Sequence, residues 1–337
     1  MVKISIIYAT CRPDFPIVDM PETHQFTPFL ESLKKQTFTD FEVVFTDFLY
    51  SKRKYDFSPY PFKIKHVDPS GFSWAWKKGL WALQDGFNYG LIHTEGELLL
   101  WFGDCCEFQN TDTLQLWWDW YKRGYFAQAL TLNYRGTKPN IQADGTPVRD
   151  SRWKFVDESP NGIWYCAGQQ YSGYAASSLK SMLEVNGYDS NFDGSPALSD
   201  TEIGERLEQL GYKFVCDKRL TVIERSHIGI TGGNIDEKGV AHPYSTTQGW
   251  TNLWGMPSID FRSNYSLLLL NKEKKRTRAN DYYLTEDELN WIVEHGEKWG
   301  IPKPVEGTYQ HKLLMDWFNN PPIFDIYQLR QEQRKHG

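Results

Sequence analysis

Asp104 follows an apolar run, Leu98-Leu99-Leu100-Trp101-Phe102, that stops abruptly in Gly103-Asp104-Cys105-Cys106-Glu107. A short continuous apolar run reads as a strand buried on both faces, as in a parallel sheet under helices. Open sheets of that kind bind ligands just past the carboxyl ends of their strands. A carboxylate there is costly to bury alone, so Asp104 is expected in an open cleft, on a partner or on a metal ion. Asp47 closes a second apolar run, Phe41–Thr46, in the same way. Arg12, just past the first apolar run, and Lys77 with Lys78 are the cations able to reach a phosphate, or else solvated faces. Trp74, Trp76 and Trp164 offer flat surfaces for sugar rings, or else ordinary core packing. Cys105 and Cys106 read most simply as small, half-buried apolar residues.

These residues need a sheet and helices to hold them. Val2–Tyr8, Phe41–Thr46, Phe62–Val67 and the run into Asp104 read as strands. Thr27–Lys35, with Thr27 as its cap, and Ser73–Leu83, with Ser73 as its cap, read as helices between them. This alternation, with acids and glycines at carboxyl ends, predicts an α/β fold with a largely parallel sheet. Further on, Thr111–Arg123 reads as a Trp-rich helix, Tyr125–Asn133 as a strand, and Arg135–Asn161 as a polar excursion. Ser177–Asn186 and Asp200–Leu210 read as helices, and Lys213–Cys216 and Leu220–Glu224 as closing strands. His227–Asn234 is glycine-rich. Beyond about residue 239 the alternation is lost. Ser266–Asn271 is apolar, Thr285 and Glu288 form a capping box opening a helix through Trp299, and Leu313–Phe318 reads as another helix.

Composition narrows the class. The chain has 337 residues, so one large domain plus an appendage is expected. A net charge of −6 weighs against a protein built mainly to hold nucleic acid. Five scattered cysteines make no disulfide framework, and a cytoplasmic location is expected. No apolar run approaches the roughly 20 residues of a membrane span.

Five stretches, taken together over about residues 2–230, resemble the family 2 glycosyltransferases of GT-A fold. SIIYATCRP resembles the family's first strand and Pro-Thr-x-Asn-Arg loop, with Ala9 in place of the proline. LESLKKQTFTDFEVVFTDF is the closest match. GFSWAWKKGL resembles a Gly-x-Ser-x-Ala-Arg-Asn-x-Gly helix start, with Trp76-Lys77 where Arg-Asn is usual. GELLLWFGDCC resembles the strand into an Asp-x-Asp motif, with Cys106 at the second acid. GYAASSLKSMLEVNGYDSNFDG and SDTEIGERLEQLGYKF resemble the acceptor-side segment, with Ser199 in place of a glutamate.

The resemblance implies a GT-A, Rossmann-like central sheet with a C-terminal helical accessory segment. The division would be a catalytic domain at 1–238 (donor half 1–110, acceptor half 111–238) and the accessory segment at 239–337. It implies transfer of a sugar, with inversion, from a nucleotide-diphosphate sugar such as a UDP-sugar. Thr10 and Asp47 would hold the nucleoside, with Arg12 and Lys77 on the donor as well. Asp104 would bind a divalent cation, Mn²⁺ or Mg²⁺, with His227 as a further ligand. A hard cation takes oxygen ligands, so a thiolate at Cys106 is the wrong partner: either Glu107 substitutes, or Asp104 works with His227, or metal binding is lost. Asp200, or Glu202 two residues on, would be the base that takes the acceptor proton, and Trp164 and Gly173 would face the acceptor. A glycan or lipid-linked glycan is the expected acceptor. A modified nucleic-acid base has only the aromatics and the basic run Lys272–Arg278 behind it. Two other readings stay open. One is a sugar- or nucleotide-binding protein of this fold without turnover. The other is a nucleotidyltransferase, which would want a glycine-rich phosphate loop where ATCRPD has no glycine.

Overall fold

The computed structural model describes residues 2–10, 26–52, 54–103, 106–135, 138–139, 161–168, 171, 174–194, 198–224, 234–235, 241–242, 264–298 and 301–336. The strands are β1 (Ile4–Thr10), β2 (Phe41–Asp47), β3 (Lys63–Val67), β4 (Leu98–Gly103), β5 (Cys106–Phe108), β6 (Tyr125–Arg135), β7 (Lys138–Pro139), β8 (Ile163–Cys166), β9 (Ala175–Ser178), β10 (Lys213–Glu224), β11 (Asn234–Ile235) and β12 (Ala241–His242). The helices are α1 (Thr27–Lys34), α2 (Trp74–Lys77), α3 (Leu83–His93), α4 (Thr113–Lys122), α5 (Leu179–Glu184), α6 (Ser199–Gln209), α7 (Asn264–Glu273), α8 (Glu286–Glu297), α9 (Tyr309–Asn319) and α10 (Ile326–His336).

One sheet runs in the order β3-β2-β1-β4-β9-β6-β10-β5. The β3, β2, β1 and β4 strands are mutually parallel, and so are β6 and β10. Short β9 runs antiparallel to both β4 and β6, so all six principal strands point one way. The sequence expectation of an α/β fold with a mostly parallel sheet therefore holds. Alternate residues of β1 feed two different cores. Ile4, Ile6 and Tyr8 face one, with Phe29 of α1 and Trp117 of α4, while Ile7 and Ala9 face the other, with Leu91 of α3 and Ile203 of α6. Helices on both faces explain why β1 is buried at every residue and β4 is continuously apolar from Leu98 to Phe102.

A third core joins the C-terminal helices to α2 and to the segments that follow β2 and α5. Leu267, Leu289, Ile292 and Trp317 pack against Phe48, Ala75, Leu80 and Phe192. Buried polar contacts add to it: Tyr282 OH donates to Asp189 Oδ2 at 2.6 Å, and Trp317 Nε1 donates to Asn191 Oδ1 at 3.0 Å. At the far end of the chain, Arg330 closes the carboxyl end of α3, donating to Thr94 O at 2.8 Å and also to Leu91 O. None of the described helices is long and apolar enough to cross a membrane.

Several elements differ from the sequence reading. Phe26, not Thr27, precedes the first turn of α1, and the start is set by a proline in that turn. The helix expected over Ser73–Leu83 is only four residues long, because Gly79 takes φ +71° and ends it. A second helix, α3, then begins at Leu83. Its glycines hid it from the sequence reading, and close packing explains them. A Cβ at Gly90 would sit 2.5 Å from the Ile7 side chain, and one at Gly86 would sit 3.0 Å from the Phe48 ring. The two closing strands are one, β10, with a register shift between Cys216 and Thr221. The capping box at Thr285 and Glu288 is present and opens α8.

Candidate active site

Arg12, Asp104, Gly173 and His227 lie outside the described residues. Thr10, Asp47, Lys77, Trp164, Asp200 and Glu202 lie within them.

On the donor side, Thr10 and Asp47 end neighbouring strands in register, as expected. Phe48 N–H donates to Thr10 O at 3.1 Å, which ties the two ends together. Both side chains are wholly buried at 0% exposure. The Asp47 carboxylate accepts from Leu49 N–H at 2.8 Å, and its other oxygen lies 3.1 Å from His66 Nε2. His66 lies on β3, opposite Phe45 of β2. Its position one strand over from Asp47 was the signal by which the sequence could have found it.

The α2 segment is held from the C-terminal side. Trp74 Nε1 donates to Asp316 Oδ2 at 3.0 Å, and Lys78 Nζ sits 2.8 Å from the same oxygen. Trp76 packs on Phe48, ring centroids 4.9 Å apart. These two tryptophans are engaged in packing. Lys77 is exposed. Trp164 is on β8, opposite Cys216 of β10, and among the described residues its buried indole N–H has no partner.

Of the two acids expected as the base, α6 carries Asp200 directly after its first residue, Ser199, and Glu202 one turn in. Leu198, just before α6, has φ +70°, a strained conformation for a leucine. The first turn is fixed to α3: Gln84 Nε2 donates to Ser199 Oγ at 2.5 Å. Asp200 is half-buried and its Oδ1 accepts from Thr201 N–H at 2.9 Å. Behind it stand the phenols of Tyr171 and Tyr188. Burial pushes both well above the usual range, and the charge of Asp200 adds to the effect.

Glu202 points the other way. Its two oxygens accept from Arg206 Nε at 2.7 Å and Nη2 at 2.8 Å, and the guanidinium also donates to Val185 O and Gly187 O. Both side chains are 2% exposed. Burial pushes the Glu202 carboxyl up to about 7 and Arg206 opposes it. A carboxylate chelated in this way is committed to the fold, so the alternative base of the sequence reading is already engaged.

Below the junction of α3 and α6 lies a second acid pair. Asp193 accepts from the backbone N–H of Gln84 at 2.9 Å and of Asp85 at 2.8 Å, and Ser190 Oγ donates to Asp85. Burial pushes Asp85 up to about 6, and burial with the neighbouring Asp85 pushes Asp193 well above the usual carboxylate range. An acid with a raised folded-state pKa favours folding most when protonated. This contribution is therefore complete below about pH 4 and is lost as the pH rises to about 6, with a slope up to about 1.4 kcal/mol per pH unit. Asn mimics the protonated acid. Melting curves across that window should show a smaller loss of stability with rising pH in Asp85→Asn than in the parent chain. Parallel curves would mean that Asp85 is ionised throughout.

No family model matches the sequence, and no curated protein matches it significantly. Among solved structures, that of GalNAc-T7 with UDP, GalNAc and Mn²⁺ aligns over 99% of this chain and 57% of its own, at 13% identity and a TM-score of 0.50. The chain has the GT-A glycosyltransferase fold. TarS of S. aureus aligns over 66% of this chain and 37% of its own, at 15% identity and a TM-score of 0.40. The mannosyltransferase PcManGT from Pyrobaculum calidifontis, in complex with GDP-Man and Mn²⁺, aligns over 66% and 57%, at 13% identity and a TM-score of 0.42. The chain thus spans less than two thirds of the length of each of these.

Within this GT-A fold, Cys106 stands where the resemblance has a second metal-binding acid. Its side chain is buried, and Sγ–H donates to Gly103 O at 3.1 Å. It is packed as a thiol and does not serve a hard cation. Among the described residues no cluster of three His, Cys, Asp or Glu side chains could hold a metal ion.

Proposed function

We propose that this chain is an inverting glycosyltransferase that moves a sugar from a nucleotide-diphosphate sugar, a UDP-sugar in the first instance, to an acceptor hydroxyl. The observation that carries this reading is the first turn of α6. There a half-buried carboxylate, Asp200, is locked through Ser199 and Gln84 to the helix that follows the donor-side element α2. One carboxylate held apart from the donor strands is what an inverting displacement requires of a base. Thr10 and Asp47 form the edge for the nucleoside, Arg12 and Lys77 the cations for the diphosphate, and Trp164 and Gly173 the acceptor side. Asp104 and His227 would hold the divalent cation, Mn²⁺ or Mg²⁺, which would stabilise charge on the leaving diphosphate. The acceptor in this reading is a glycan or lipid-linked glycan. Residues 1–238 would carry the reaction, and residues 239–337 would brace α2 through Asp316.

Thermal unfolding with UDP- and GDP-sugars, each with and without Mn²⁺, tests the reading. Ligand at 100 times its Kd stabilises the folded state by about 2.7 kcal/mol, a rise of several degrees. The expected result is a rise with one donor class that grows when Mn²⁺ is added, followed by release of nucleoside diphosphate on incubation with that donor. A rise without release would favour a binding protein of this fold. No rise with any donor would remove the glycosyltransferase reading.

A further inference from the structure

Asp47 closes β2 where the nucleoside is placed in the reading above, yet it is wholly buried. One of its oxygens accepts from Leu49 N–H and the other from His66. The polar partner of that carboxylate that keeps some surface is His66, whose side chain is 15% exposed. We propose that His66, oriented by Asp47, reads the base of the bound nucleotide and selects one that offers a ring N–H. This rests on the donor-binding reading and goes beyond it by naming the residue that reads the base and the group on the base that it reads.

The chemistry follows from the pair. An ionised carboxylate only accepts hydrogen bonds, so the nitrogen facing it, Nε2, carries the proton. In the neutral ring the other nitrogen, Nδ1, is then an acceptor. The ring cannot easily turn away from this arrangement. Phe45 stacks on it at 4.9 Å with 18° between planes, and Tyr55 and Phe57 stand 5.7 and 5.6 Å away. Tyr50 lies 4.4 Å from the imidazole and is 42% exposed, which leaves aromatic surface for a base to stack on. A fixed acceptor beside an aromatic wall suits uracil, whose N3 carries a hydrogen, and guanine, whose N1 does. It opposes cytosine and adenine, whose corresponding ring nitrogens are lone-pair acceptors.

Calorimetric titration of the full chain with UDP, GDP, CDP and ADP, each with Mn²⁺ at about pH 8 where a free imidazole is neutral, tests this. UDP or GDP should bind at least about tenfold more tightly than CDP and ADP, and the pair separates the two accepted bases by size. His66→Ala should keep diphosphate binding and lose the discrimination. Asp47→Asn is the sharper variant. Its amide N–H would face Nε2, push the imidazole proton to Nδ1, and so turn the preference towards CDP or ADP. A merely structural role for the pair would weaken all four nucleotides alike. Each variant's melting transition reports that it is folded, and His66→Phe, which keeps the ring packing, replaces His66→Ala if that transition is lost. Undiminished discrimination in the folded His66 variant overturns the inference, as does equal binding of all four nucleotides by the parent chain; both leave the donor-binding reading standing. Failure of the parent chain to bind any of the four overturns both.

Discussion

Asp200→Asn is expected to lower turnover by about 10²-fold or more while leaving donor affinity unchanged, the scale of general-base catalysis. An acceptor hydroxyl is a poor nucleophile until its proton is taken. The base must approach within about 3 Å of it and from the side away from the leaving diphosphate. The residues proposed for the diphosphate are in the donor half, so the base has to come from the acceptor half. Asp200 opens the eleven-residue helix α6, whose amide end stabilises a carboxylate, and Gln84 holds the preceding Ser199 in place. Asn keeps the size of the side chain and its bond from Thr201 N–H, so folding should be undisturbed. The measurement is kcat and donor KM with the donor identified by thermal unfolding, alongside the melting temperature. Unchanged kcat would remove the inverting base and favour the binding-protein reading.

Glu202→Gln should act on stability instead. It would take the bidentate carboxylate from the buried Arg206 guanidinium and leave only the more distant charge of Asp189 to oppose it, and breaking a buried pair costs about 3–5 kcal/mol. Arg206 also ties α6 to Val185 O and Gly187 O, so the loss would reach the turn that joins α5 to the C-terminal helices. Urea unfolding should show a midpoint well below that of the parent chain. Residual folded protein should retain its turnover, because both Glu202 oxygens are taken by Arg206 and the side chain is buried. A stable Glu202→Gln protein with turnover lost would mean that Glu202 is the base and Asp200 is not. The two variants, two residues apart, thus separate a chemical role from a packing role.

The strands and their acids were legible in the sequence because the signal is local. Runs such as Ile4–Thr10 and Leu98–Phe102 are mostly apolar and buried at every residue, and only burial between two helical layers demands that. The Thr285–Glu288 box was legible for the same reason, since a cap satisfies its own backbone within four residues. The donor edge was half-legible: Thr10 and Asp47 do meet, but nothing in the run Phe41–Asp47 says that His66 stands over the carboxylate. The choice between Asp200 and Glu202 was not legible at all. Both are acids in the first turn of one helix, and only the position of Arg206 decides which of them turns inward. Helix α3 escaped because Gly86 and Gly90 weaken its pattern, and they are there to let it lie against Ile7 and Phe48. Cys106 read as a departure from a metal motif, but its inward turn onto Gly103 O depends on the path of β5 against β10. Periodicity along a chain records which face of an element is buried. Which residue from elsewhere lies against that face, and so which acid is left for chemistry, depends on contacts between segments far apart in sequence.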